Sequence, residues 1–183
     1  MNRPAILLLP LLIGLLAGCS TIGQEGGNPR FFTPGPEARV ILLQEVGLAP
    51  RELRAFFQDG RQVTRRDLNP HHPNCNLELN TRSREARSVP PGSYAITRTV
   101  RRNAPLASMP PVQVASLELP LLAQVRPAAI NYQTQFFLVP VEGGTDDIRA
   151  LNCGRWGDPS GIALYPTPEE IAQALGAVGR LEL

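Results

Sequence analysis

Lysine is missing from all 183 residues, and histidine occurs only as the pair His71-His72. These shortages remove whole classes of chemistry. No Walker loop and no dinucleotide fingerprint is found, so a nucleotide site of either kind is excluded. Two histidines in one loop are poor material for a Ser-His-Asp triad, and Ser160 in Asp158-Pro159-Ser160-Gly161 lacks the GxSxG elbow. Aromatic residues make up 5% of the chain, too few to interleave with the arginines for nucleic-acid binding. Asp146-Asp147 is too short an acidic run for a calcium loop. Charge of one sign is also lacking. The 18 basic residues stand against 16 acids, so net charge does not call for a large polyanionic partner. No catalytic set emerges, and the expectation is a binding protein without a cofactor rather than an enzyme.

Proline, by contrast, is plentiful at 19 residues. It breaks helix interiors and central strands, which points to short strands and many turns. Strands are expected over Arg39 to Val46, Glu52 to Gln58, Arg61 to Thr64 and Cys75 to Asn80. Further ones are expected over Ser93 to Arg102, Val112 to Leu119, Asn131 to Val139 and Asp147 to Cys153. Asp59-Gly60 between the second and third is a strong hairpin signal. One helix is specified by Thr167-Pro168-Glu169-Glu170, which offers an N-cap, a first-position proline and a capping-box glutamate. Ile171, Ala174, Leu175 and Val178 follow at helical spacing, Gly176 or Gly179 ends the run, and Leu181 to Leu183 makes a last short strand. The fold class is mainly β, a sandwich or barrel-like single domain with one C-terminal helix.

The first residues read as an address. Arg3 supplies charge, Ala5 to Leu16 is an apolar run too short for a bilayer, and Ala17 and Gly18 are small. Leu16-Ala17-Gly18-Cys19 resembles the lipobox of bacterial lipoproteins. That resemblance implies cleavage of residues 1–18 as a signal peptide and a covalent lipid on Cys19. Ser20, where an aspartate would favour retention in the inner membrane, implies the periplasmic side of the outer membrane. Residues 19–38, rich in Gly, Pro and polar groups, are expected to form a flexible tether, with Phe31 and Phe32 docking on the domain or on the lipid interface. The periplasmic domain then runs from Arg39 to Leu183.

With Cys19 lipidated, Cys75 and Cys153 are left as a pair in an oxidising compartment, which favours a disulfide. Period-two alternation agrees. Cys75, Leu77 and Leu79 share a core face opposite Asn76, Glu78 and Asn80, and Cys153 shares a face with Leu151. The loop His71-His72-Pro73-Asn74-Cys75 has metal-ligating types, but an oxidised sulfur leaves only adjacent imidazoles, so no metal centre is expected. Trp156, beside Cys153, is read as core or disulfide packing. Between Arg61 and Arg102, nine arginines face three acids. Arg65, Arg66, Arg82, Arg84, Arg87, Arg98, Arg101 and Arg102 are the candidate face for an anionic lipid or an acidic envelope protein, set against a solvated β surface neutralised by acids from elsewhere.

Several segments together resemble a family of uncharacterised proteobacterial outer-membrane lipoproteins. They are Phe56-Phe57-Gln58-Asp59-Gly60, His72-Pro73-Asn74-Cys75-Asn76-Leu77-Glu78, Pro90-Pro91-Gly92-Ser93-Tyr94-Ala95-Ile96-Thr97-Arg98, Leu151-Asn152-Cys153 and Pro168-Glu169-Glu170-Ile171 through Gly176. The resemblance supports the address and the cysteine pair and carries no mechanism. Two functions remain open. One is an anchored, non-enzymatic lipoprotein that binds a protein or envelope component. The other is a small-ligand or lipid-binding module with a pocket in the β core.

Overall fold

The computed structural model describes residues 27–105, 129–159 and 162–183. Cys19, the apolar run before it, the strand expected over Val112 to Leu119 and Ser160 lie outside the described residues. Ten strands and one α-helix follow in chain order: β1 (Arg39–Leu42), β2 (Val46–Leu48), β3 (Arg54–Gln58), β4 (Arg61–Val63), β5 (Asn74–Leu79), β6 (Arg87–Val89), β7 (Gly92–Pro105), β8 (Ile130–Glu142), β9 (Ile148–Gly157), α1 (Pro168–Leu175) and β10 (Gly179–Glu182). Eight strands form one curled antiparallel sheet, a half-barrel, in the order β10-β1-β7-β8-β9-β5-β3-β4. The fold is thus mainly β and barrel-like, with its helix near the C-terminus. No helix among the described residues is long and apolar enough to cross a membrane.

Alternation builds the core. Val40 and Leu42, Ala55 and Phe57, Cys75, Leu77 and Leu79, Phe136 and Leu138, and Leu151 and Cys153 all bury on one face of the sheet. Helix α1 adds Ile171, Ala174 and Leu175 to the same cluster. Its start follows from local chemistry: the Thr167 hydroxyl accepts from the Glu170 N–H, and the Glu170 carboxylate accepts from the Thr167 N–H. Its end is Gly176, at φ 49°. A Cβ there would lie 2.3 Å from the Gly60 Cα, so glycine is what lets the β3–β4 turn seat against the helix end. The Gly60 N–H donates to the Ala174 carbonyl at 3.2 Å and closes that contact.

Three expectations need revision. Arg39 to Val46 is not one strand. The chain leaves the large sheet after Leu42, Leu43 to Glu45 are exposed, and β2 pairs with β6 in a separate two-stranded ladder. β6 itself was not foreseen. The second half of the expected tether is packed on the domain. Phe32 meets Phe136 at a ring distance of 6.1 Å, Phe31 meets Tyr165 at 5.6 Å, and Ala38 is buried. Arg30 reinforces the docking by donating to the Tyr165 carbonyl at 2.9 Å and to the Glu170 carboxylate at 3.2 Å. Finally, the polar side of β5 is not a solvent face, because Asn76 and Glu78 are as buried as the apolar side.

Candidate functional site

The buried polar side of β5 opens at one edge into an arginine-lined cleft. In register across the strands, Asn76 faces Asn152 and Asn152 faces Gln135, and all three are buried. Asn152 Nδ2 donates to Asn76 Oδ1 and to Glu78 Oε2, each at 3.1 Å. Glu78 also accepts from Arg54 at 3.0 Å and from Arg149 at 3.0 Å. With its side chain only 11% exposed, this carboxylate is neutralised by two guanidiniums and one amide. Removing both arginines would leave a poorly solvated, unpaired charge, which is costly.

Beside Glu78 lies a cleft of about 400 Å³ lined by Arg51, Arg54, Arg65 and Arg82, together with Glu52. Each arginine arrives by a different route. Arg54 sits on β3, opposite Glu78 in the ladder. Arg65 is carried past the end of β4 by a turn in which the Thr64 hydroxyl bonds Asp67 at 2.6 Å. The Asp59-Gly60 hairpin, at φ 52° and 78°, aims that strand. Arg51 has φ 66°, a left-handed conformation unusual for a side chain other than glycine or asparagine. It is held by donation from its N–H to the Ser83 carbonyl at 2.8 Å, and Arg82 is the residue before Ser83. Strain of this kind is seen where surrounding structure fixes a side chain for use.

The electrostatic sum at the cleft is positive. Arg54 is committed to Glu78, but Arg51, Arg65 and Arg82 have no salt bridge with any described carboxylate. A second cleft of about 370 Å³ shares Glu52, Arg54, Phe56 and Arg65 with the first and runs on past Gln62, Thr64 and Gly47. The two form one groove, cationic at one end and neutral at the other. Guanidiniums converging this way suit a carboxylate or a phosphate, which they can hold through paired N–H donors.

The eight arginines expected to form one face do not stay together. Arg65 and Arg82 enter the cleft, while Arg66 and Arg84 are exposed but not among its walls. Arg87 is spent internally, on Asp147 at 2.5 Å and on the Thr81 hydroxyl at 3.1 Å. Arg98 lies over the Phe137 ring at 3.9 Å. Arg101 donates to the Phe32 carbonyl and sits 5.6 Å from the Phe31 ring, so it fastens the N-terminal segment. Arg102 is exposed on β7, away from the cleft. Arg51 and Arg54 precede the arginine-rich stretch and were missed. The one local signal was Arg54 two residues from Phe56, in a strand whose odd positions are apolar.

The cysteine pair is where alternation put it. Cys75 and Cys153 face each other in the β5–β9 ladder, both fully buried, with their sulfurs at bonding distance, 2.08 Å. That sulfur is therefore not free to join His71 and His72, which are exposed. The Trp156 ring packs edge-on against His71 at 5.7 Å, and the Trp156 main-chain N–H donates to the Pro70 carbonyl at 2.7 Å, so this residue fixes the histidine loop. Among the described residues, no three His, Cys, Asp or Glu side chains cluster as a metal site. No protein-family model, no curated protein and no solved structure matches this chain.

Proposed function

We propose that this chain is a non-enzymatic envelope lipoprotein, held at the periplasmic side of the outer membrane by lipid on Cys19. Its arginine cleft takes an anionic group of an envelope protein or other envelope component. The address rests on the lipobox-like Leu16-Ala17-Gly18-Cys19 and the apolar run before it. The binding role rests on one observation, the convergence of Arg51, Arg65 and Arg82 on a single cleft without a salt bridge to any described carboxylate. The alternative, a ligand pocket inside the β core, has less support. Tyr94, Phe57, Phe136 and Leu175 fill that interior with no exposure, while the clefts open at the surface.

Photo-crosslinking in intact cells tests the binding role. A crosslinker placed at Arg84, near the cleft but not in its wall, should capture one reproducible envelope component. Arg65→Glu should abolish the capture, because a reversed charge repels the anion and the exposed site tolerates the change. Capture unaltered by the reversal would refute the role given to the cleft.

A further inference from the structure

The groove offers more than charge. In the β3–β5 ladder the Leu79 N–H donates to the Leu53 carbonyl at 2.9 Å. Main-chain groups alternate in direction along an antiparallel strand, so odd positions of β3 face β5 and even positions face β4. The β3–β4 pairing ends at Phe56↔Val63. One step further, the position opposite Arg54 would be Arg65, but the Thr64–Asp67 turn has already taken the chain away. The Arg54 N–H and C=O therefore face the groove with no strand paired to them among the described residues, β2 lying near but in the other sheet. They form a one-residue stretch of open sheet edge at the seam where the cationic and neutral clefts join.

Directly opposed residues of an antiparallel pair put their side chains on the same face. A residue pairing with Arg54 would thus point its side chain where Arg54 points, into the arginine cleft. The flanking residues of that segment would lie along Gln62, Thr64 and Gly47 and against Phe56 and Val63, a wall of mixed hydrogen-bonding and apolar groups.

We propose that the groove binds an extended acidic peptide segment, its main chain pairing with the open edge of β3 at Arg54 and its Asp or Glu side chain held by Arg51, Arg65 and Arg82. This rests on the reading of the cleft as an anion site and names the class of partner it takes. Main-chain pairing supplies affinity and the arginines select the acidic residue, the logic of strand addition at a sheet edge.

The probe is a fluorescent heptapeptide of alternating valine and glutamate, titrated by anisotropy against the full chain in neutral detergent. A second peptide carries N-methyl groups on its glutamates, which abolish main-chain donation and leave the charge. The first peptide should bind, and the second should bind about tenfold more weakly. Arg51→Gly, which suits the positive φ, and the exposed Arg65→Ala should each weaken the first peptide by about tenfold. Equal binding of both peptides overturns strand pairing while the anion site stands. So does binding of inorganic phosphate, or of vesicles containing anionic lipid, by a chain that ignores the peptide. Failure to bind phosphate, vesicles and peptide alike overturns both the pairing and the anion site.

Discussion

Tyr94 shows how one side chain can fix a loop. Its ring is fully buried, and its phenol oxygen accepts the Thr145 N–H at 3.2 Å. Gly144 lies flat on the ring, where a Cβ would come within 2.7 Å. Burial pushes the phenol above its ordinary 10.0, opposed by the Thr145 hydrogen bond, which pulls it down. A group raised on folding gives stability that is full below its unfolded value and lost as pH rises through the folded one. Stability should therefore decline on the alkaline side, above pH 10 or so, as the unfolded state ionises first. Tyr94→Phe should flatten that decline in urea titrations run between neutral and alkaline pH. It should also cost about 1 kcal/mol at neutral pH through the lost hydrogen bond. An alkaline limb unchanged in Tyr94→Phe would assign the decline to other groups.

At the scale of elements, the β5–β9 pair is the best test of what local pattern can tell. The crosslink closes a loop across a sequence separation of 78 residues. Constraining an unfolded chain over that span stabilises the native state by about 4 kcal/mol, a large part of the 5–15 kcal/mol typical of a domain. Replacing both Cys75 and Cys153 by alanine should lower the melting temperature markedly, and thiol titration of the denatured, unreduced chain should find neither sulfur free. Two free thiols in that titration would refute the bridge. Both cysteines were legible because parity along a strand is a local property, and so were the hairpin at Asp59-Gly60 and the cap at Thr167, which need only neighbours in sequence. The opposite side of β5 was not legible. Asn76 and Glu78 read as solvent-facing by the same parity, yet their partners Asn152, Arg54 and Arg149 come from other strands. The cleft was half legible for the same reason. Arg65 and Arg82 lie in the conspicuous stretch, whereas Arg51 and Arg54 join them only through strand pairing and a left-handed backbone.

For the whole molecule, the N-terminal segment and the cleft occupy different parts of the sheet. The segment from Asn28 to Ala38 is fastened to α1, β7 and β8 through Arg30, Phe32 and Arg101. The cleft lies at the β3–β4 edge. The described attachment of the N-terminal segment therefore leaves the cleft arginines uncovered. Cys19→Ala should leave the protein unlipidated and absent from the outer-membrane fraction, with the domain still folded. Labelled palmitate on that variant, together with outer-membrane fractionation, would refute the anchor.

The strand order also decides how the molecule answers a pull. Tension between a held N-terminus and a ligand in the cleft has two routes: through α1, which Arg30 joins to the N-terminal segment and the Gly60–Ala174 bond joins to the β3–β4 turn, and across the sheet from β7 and β8 by way of β9 and β5 to β3. In antiparallel sheets the rungs lie perpendicular to the strands, so this tension loads them along their own axes and peels them in turn. At the β9–β5 seam a sulfur bridge takes the strain in place of hydrogen bonds. On the sheet route the seam left to yield is the short β3–β5 ladder, registered over four residue pairs. Stretched, the sheet would part at its β3 flank while its covalently riveted middle stayed whole.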